Sequence, residues 1–417
     1  MYDYVIVGAG SAGCVLAARL TEDPDCRVLL LEAGPPDDAA EIAVPAASTA
    51  LWRGPFAWDD ATVPQTRANG RTIRWPHGRT LGGSSSINAM VYIRGNPLDY
   101  DGWRDEHGCV GWSFSDQLPC FRRAEDQSRG RSAYHGASGP LRVEDLRHRH
   151  ELATAWLDAA RAHGLPANGD FNDGAQDGVG FYQVTQRRGR RWSTADAYVR
   201  PAIERGNLAV RTGAQATRIV VEHDRAVGVR YRVGGDEHEV RAEREVVLSG
   251  GAINSPHLLL LSGIGPADEL RAHGIDVVVD APHVGAGLQD HAWCLALWHT
   301  PRARNLWEEA TPANVELWRR EGSGPLASKP SSTRSWPASG SRARSPAGGR
   351  WRLTSTARTR PARTSAIKRN CGPGSAAASA RSSIRPAAAR WAVPKRRCAT
   401  RSCGGAASTG CAWSTRR

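Results

Sequence analysis

Tyr4-Val5-Ile6-Val7-Gly8-Ala9-Gly10-Ser11-Ala12-Gly13-Cys14-Val15-Leu16-Ala17-Ala18-Arg19-Leu20 is the stretch that decides the fold. Tyr4 to Val7 is an apolar run without alternation, as suits a parallel strand buried on both faces. It breaks at a glycine cluster and resumes with helical spacing at Cys14, Val15, Ala18 and Leu20, ending before Asp23-Pro24-Asp25. A second apolar run, Val28-Leu29-Leu30-Leu31, leads into Glu32-Ala33-Gly34. This is a β-α-β unit of about 30 residues, the smallest that holds a dinucleotide. Gly8 permits the tight turn, Gly10 lets a pyrophosphate approach the backbone, and Gly13 allows close helix–strand packing. The helix opened by Ser11 and Ala12 turns free N–H donors toward the phosphates. Glu32, at the end of the second strand beside Ala33, is placed to accept ribose hydroxyls. With no basic residue replacing that acid, the pattern points to FAD or NAD rather than NADP.

Outward from this unit, residues 35 to 77 are rich in Pro and Ala and read as irregular excursions over a scaffold. Gly78 to Asn88 is rich in Gly and Ser and runs into an apolar stretch ending at Ile93. Residues 99 to 147 are polar and Trp-containing. Glu151 to His163 reads as an amphipathic helix with Leu152, Ala155, Trp156 and Ala159-Ala160 on one stripe. Strands follow at Leu208 to Val210, Arg218 to Val221, Ala226 to Val233 and Glu239 to Leu248. Gly250-Gly251 opens a helix that continues through Leu261.

Charge divides the chain sharply. Its 417 residues carry a formal net charge of +13, but residues 330 to 417 hold 17 Arg and 2 Lys with no Asp or Glu. The preceding part has 36 Lys+Arg against 42 Asp+Glu and is mildly acidic. The tail contains only Leu353, Ile367, Ile384 and Val393 as branched aliphatics. It cannot bury enough apolar surface to offset its ordering entropy, so disorder is expected. No apolar run approaches the roughly 20 residues that span a bilayer. Met1 leads directly into a strand pattern rather than a cleavable leader. The nine Cys show no C-x-x-C pair or zinc-like spacing and read as reduced thiols. Together these features predict a cytoplasmic protein without a metal site.

Two further segments carry a family likeness. Gly78-Arg79-Thr80-Leu81-Gly82-Gly83-Ser84-Ser85-Ser86-Ile87-Asn88-Ala89-Met90-Val91-Tyr92-Ile93-Arg94-Gly95 resembles the first signature of the glucose–methanol–choline (GMC) flavin oxidoreductases. Gly251-Ala252-Ile253-Asn254-Ser255-Pro256-His257, continuing through Ser262-Gly263-Ile264-Gly265, resembles the second. Val284 to His291 is similar to a further family segment. The resemblance spans residues 1 to about 328 and is nearest in tone to the choline-dehydrogenase-like bacterial branch.

The resemblance implies FAD as cofactor, an alcohol as small-molecule substrate and hydride transfer from its CH–OH carbon to flavin. It sets Arg79, Gly82, Gly83 and Ser84 about the cofactor, Asn88, Ala89, Met90 and Val91 against the flavin, and Ala216 beside the adenine. In relatives that bind FAD covalently, a His stands where this chain has Ile87, so dissociable FAD is expected. The residues themselves agree, since Gly82-Gly83 admits close backbone approach while Ser84, Ser85 and Asn88 offer hydrogen bonds. His148 and His150 read as a solvated surface; His291 beside Asp290 invites a catalytic-dyad reading, which the resemblance replaces with a structural or domain-edge role. Most of the Trp residues read as core or pocket wall.

The family's catalytic base is a His in a C-terminal His-Pro-x-Gly motif, and this chain has none. Its thirteen His all lie at or before His299, so no catalytic residue is assigned. The tail reads as an off-frame translation: one shifted register yields a run like the family's C-terminal strand from Cys403 to Arg416. The same register yields H-P-A-G-S-C-K-M-G around Ser383 to Trp391, with the break near Ser328-Lys329-Pro330. A gene with no one- or two-base slip there overturns this reading. The competing reading is a nucleic-acid-binding arm, with Trp336, Trp351, Trp391 and Trp413 stacking on bases. The shifted frame explains the same composition with less, so no nucleic-acid partner is expected.

The expected architecture is α/β, a Rossmann-like FAD-binding domain with an incomplete mixed-sheet substrate domain and a disordered basic tail. The FAD domain takes residues 1–35, 75–150 and 195–300. Residues 36–74, 151–194 and 301–328 form excursions and partial substrate-domain elements, and 329–417 the tail. Two functions follow, an FAD-dependent oxidoreductase of alcohols and an inactive flavin-binding product.

Overall fold

Val5, Ile6 and the four residues Val28 to Leu31 are each at most 1% exposed, as their unbroken apolar runs require. They belong to β1 (Tyr2–Val7) and β2 (Val28–Leu31), joined by α1 (Ser11–Leu20). The computed structural model describes residues 1–291, 304–306 and 308–328. The basic tail, its Trp residues and the shifted-frame segments lie outside the described residues.

Four more strands complete a six-stranded sheet: β3 (Leu208–Arg211), β4 (Gln215–Glu222), β5 (Arg225–Val233) and β6 (Asp236–Leu248). Their order is β3-β2-β1-β6-β5-β4. β3, β2, β1 and the second half of β6 run parallel, with Val5 opposite both Leu29 and Val246. The first half of β6 pairs antiparallel with β5, and β5 with β4. One 13-residue strand therefore serves a parallel sheet and an antiparallel meander, and its carboxyl end delivers Ser249 beside the glycine turn. The sheet is mixed, within the α/β class expected from the sequence.

Alternation along the parallel strands divides the core. Ile6, Val28, Leu30 and Val247 pack with Cys14, Ala17 and Ala18 of α1 on one face. Val5, Val7, Leu29 and Leu31 pack with Ile219, Val229 and Tyr231 of the meander on the other. Each fully buried Val, Leu or Ile among them contributes about 1.5–3 kcal/mol through burial. Helix α5 (Gly251–Leu261) adds Leu258 to this second layer.

The segments between strands are more ordered than their composition suggests. Asn96 and Asp99 form a capping box on α2 (Pro97–His107), and Ser113 and Asp116 another on α3 (Phe114–Ala124). Helix α4 (Glu151–Ala162) corrects the expected stripe. Leu157 and Ala160 are buried with Trp156 packed beside them, whereas Leu152 is 44% exposed and Ala155 and Ala159 face solvent. The stripe runs one position later than read, because Leu157, a larger apolar group than the alanines, sets its phase. His150 accepts from Leu152 N–H at 3.1 Å and so caps α4, while its Nε2 lies 2.9 Å from the Arg304 carbonyl. Helix α6 (Pro312–Glu321) returns Trp318 against Ala46, Leu326 and Ala327.

A buried ionic cluster fixes the chain that leaves the first signature. Arg94 Nη2 donates to Glu125 Oε2 at 2.9 Å, with both side chains almost fully enclosed. His135 stands between Glu125, at 2.9 Å, and Asp170, at 3.3 Å. Hydrogen bonding to Asp170 and Glu125 raises its pKa from 6.5 to about 9. Because the folded value lies above the unfolded one, the stabilisation is full below pH 6.5 and is lost as pH rises through about 9. Melting temperature is expected to fall between pH 7 and 10 by the equivalent of about 2 kcal/mol. His135→Gln, stable or not, is expected to flatten that slope, and an unchanged pH profile in the variant contradicts the assignment.

Candidate functional site

The carboxyl ends of β1, β2 and β6 bring together the glycine turn, Glu32 and Ser249, the place where open parallel sheets bind ligands. Gly8 has φ +95°, and a Cβ there would lie 2.7 Å from the Ser249 carbonyl oxygen. On Gly13, a Cβ would lie 2.0 Å from the Gly8 carbonyl oxygen, so α1 seats directly on its own turn. Gly10 differs: a Cβ would meet only the Ser249 oxygen, at 4.0 Å, and would project into open space. No side chain caps α1 and no acid stands in its first turn. Ser11 and Ala12 are exposed there, and the first-turn N–H groups are left without intrahelical acceptors at the positive end of the helix dipole.

The first signature closes over this turn. Gly82 N–H donates to the Ala9 carbonyl at 2.8 Å. A Cβ on Gly83, whose φ is +54°, would stand 2.6 Å from the Gly10 Cα. The serines tie the loop: Ser84 Oγ accepts from Gly78 N–H at 3.0 Å, and Ser85 Oγ donates to the Gly82 carbonyl at 2.6 Å. Asn88 is exposed, and its Oδ1 accepts from Met90 N–H at 2.9 Å, leaving the amide N–H donors for a ligand. Met90 adopts φ +57° and is fully buried, its carbonyl accepting from Thr185 N–H at 2.8 Å. Ala89 and Val91 are half-buried, and Val91 pairs with Val184. Ile87 is 2% exposed in a small core with Ile42 and Leu51.

Glu32 is 6% exposed, and its carboxylate accepts from Ala9 N–H and Gly34 N–H, both at 2.9 Å. Burial pushes its carboxyl above the ordinary range, against the two backbone donors. The sequence assigns this acid to a ribose; the structure shows it also bracing the glycine turn. Half-buried Ala33 lies beside it. Gly213 N–H donates to the Gly34 carbonyl and Ala214 N–H to that of Glu32, both at 2.7 Å, bringing the segment that carries Ala216 alongside. Ala216 packs against the second core layer. Arg79 holds its guanidinium over Trp58 at 5.0 Å and leaves a buried Nε without a partner.

The segment Arg191 to Asp196 escaped sequence reading. Arg191, 4% exposed, donates from Nη1 to the Ser85 and Asn88 carbonyls at 3.0 and 2.8 Å and to Asn88 Oδ1 at 2.9 Å. Its Nε donates to the Ile42 carbonyl at 2.8 Å. Thr194 N–H donates to Ser85 Oγ at 3.0 Å. Ser193 and Asp196 form a reciprocal cap, and Ser-x-x-Asp is a signal that could have been read. Nothing local in Arg190-Arg191-Trp192 marks which arginine turns inward.

Asp290 and His291 are exposed, with His291 N–H donating to Asp290 Oδ1 at 2.7 Å. Among the described residues no group of three or more His, Cys, Asp or Glu could hold a metal ion, and no helix is long and apolar enough to cross a membrane.

A family model described as GMC oxidoreductase matches residues 2–293. Mitochondrial choline dehydrogenase of Homo sapiens is 49% identical over 298 residues, 70% of this chain and 50% of that protein. The alcohol dehydrogenase [acceptor] of Pseudomonas putida is 47% identical over 309 residues, 72% of this chain and 56% of that protein. Among solved structures, an FAD-dependent oxidoreductase from Chaetomium thermophilum superposes with TM-score 0.71 at 30% identity, covering 79% of this chain and 60% of that one. The chain thus spans about half the length of the curated relatives it matches.

Proposed function

Because the chain belongs to the GMC oxidoreductase family, we propose that residues 1–328 form the FAD-holding body of an oxidoreductase acting on alcohol CH–OH groups. The observation that carries this reading is the open face of Gly10 at the uncapped start of α1, with Gly83 packed against it. A dinucleotide pyrophosphate suits that arrangement in charge and in hydrogen-bonding capacity. Backbone donors of Ser11, Ala12 and Gly13 would hold the phosphates, and Glu32 would take the ribose with the lone pairs its backbone donors leave free. Asn88 to Val91 would border the flavin. Ile87, enclosed in its own small core, offers no nucleophile for a covalent flavin bond, which supports dissociable FAD.

The bound flavin would supply the hydride acceptor. This chain's residues would fix the ring, and the apolar layers behind the glycine turn would exclude water from one side. A proton acceptor for the substrate hydroxyl is a separate requirement, and no residue in the described site is assigned to it. The reading therefore has two parts: cofactor holding by the cradle, and alcohol oxidation as the activity of the family to which the cradle belongs. The second part extends beyond the half of the relatives that this chain spans.

Anaerobic visible spectroscopy of the purified chain, before and after an alcohol panel, tests both. Retained flavin bands that stay unbleached are expected if the cradle holds FAD and no base is in place. Bleaching by an alcohol would show that a proton acceptor exists within the chain, overturning the inactive-product alternative. A chain that neither retains nor takes up FAD would defeat the reading.

A further inference from the structure

Arg191 has a charge its structural contacts do not require. Its Nη1 and Nε groups donate to three backbone carbonyls and one amide oxygen, all neutral acceptors. Its Nη2 is buried without a hydrogen-bond partner. Among the described residues no carboxylate forms an ion pair with it; Asp196, which favours its charge from farther off, is itself paired with Arg200 at 2.8 Å. A neutral amide could satisfy part of the same acceptor set, whereas an enclosed cation without a paired counter-charge is penalised by desolvation. Burial lowers its pKa to about 10, which leaves it charged at neutral pH. Two of the carbonyls it holds belong to Ser85 and Asn88, the two ends of the turn that enters the flavin-bordering segment.

We propose that Arg191 is a positioning residue for the flavin-bordering turn, and that its unpaired charge favours the negative charge a flavin acquires on accepting hydride. The proposal rests on the reading that this chain holds FAD. On oxidation of an alcohol the donor's C–H bond would break, and two electrons and one proton would pass to the flavin, which would be reduced and gain one unit of negative charge. The donor carbon would become a carbonyl carbon, and the hydroxyl proton would pass to solvent water. A fixed cation behind the turn stabilises the reduced state more than the neutral oxidised ring, because the enclosed site screens it weakly.

The test uses the full chain loaded with FAD, with reductive titration by dithionite against a reference dye as the main readout. Flavin fluorescence gives the FAD dissociation constant, and circular dichroism checks the fold of each variant. Arg191→Met is expected to shift the midpoint potential to a more negative value and to weaken FAD binding about tenfold or more. Arg191→Lys, which keeps the charge, is expected to retain a potential near that of the parent. Arg191→Gln removes the charge while keeping an amide donor for the carbonyls that Arg191 holds. Its potential is expected to shift in the same direction as that of Arg191→Met. If Arg191→Met does not fold, Arg191→Gln decides the matter. A folded, flavin-loaded Met or Gln variant with an unmoved potential overturns this proposal alone. A parent chain that takes up no FAD overturns the cofactor reading and this proposal with it.

Discussion

Gly13→Ala is expected to destabilise the chain by about 3 kcal/mol and to abolish FAD retention. The added methyl would stand 2.0 Å from the Gly8 carbonyl oxygen and 3.3 Å from the Ser249 Cβ. The first contact is backbone on a turn whose own Gly8 cannot retreat, since Ser249 lies behind it. Relief requires α1 to lift from the sheet, opening the layer that Cys14, Ala17 and Ala18 fill. The helix propensity gained by replacing glycine, about 1 kcal/mol, offsets only part of this. Gly10→Ala supplies the contrast. Its methyl meets nothing nearer than 4.0 Å, so stability is expected to change by less than about 0.5 kcal/mol while FAD affinity falls at least about tenfold. Urea melts of the apo chains and flavin fluorescence titrations separate the two effects. Equal stability losses in both variants would contradict the division between a packing glycine and a ligand-facing one.

Glu125→Leu is expected to be at least as damaging to stability, about 3–5 kcal/mol, because it leaves two buried cations without their carboxylate. Glu125 receives Arg94 Nη2 at 2.9 Å, His135 Nδ1 at 2.9 Å and Gly136 N–H at 3.2 Å. The Arg94→Met/Glu125→Leu pair should cost clearly less than the sum of the singles, since it removes one of the two cations that Glu125→Leu leaves unpaired. Additive losses in urea melts would show that the two residues are not coupled. The cluster is remote from the glycine turn in sequence, yet it anchors the chain just after the first signature. Loss of FAD affinity is therefore expected to accompany the instability.

What could be read in advance was whatever local chemistry signals by itself. The β-α-β unit, the later strands and the helix after Gly250-Gly251 announced themselves through apolar runs and glycine breaks. Helices α2 and α3 did not, because their composition is polar and aromatic; their capping boxes at Asn96/Asp99 and Ser113/Asp116 were the available signal. The stripe of α4 was placed one residue early because the alanines of that helix fit several phases, and only burial of Leu157 selects one. Arg191 was invisible for a different reason. Arg187, Arg188, Arg190 and Arg191 lie in one short hairpin, yet only Arg191 among them is buried, and composition cannot tell an inward arginine from an outward one.

The sequence by itself determined the α/β class, the dinucleotide-type turn and the likeness to a flavin oxidoreductase family. Those properties depend on contacts between near neighbours, or on glycines whose steric requirement travels with the motif. Tertiary structure decided what faces the turn: Gly83 against Gly10, Ser249 behind Gly8, and Arg191 holding Asn88 from 103 positions away. It also decided that Glu32 braces Ala9 and Gly34. Such pairings leave no periodic trace, because they are set by how separate segments pack and by which buried donors must find an acceptor once water is excluded.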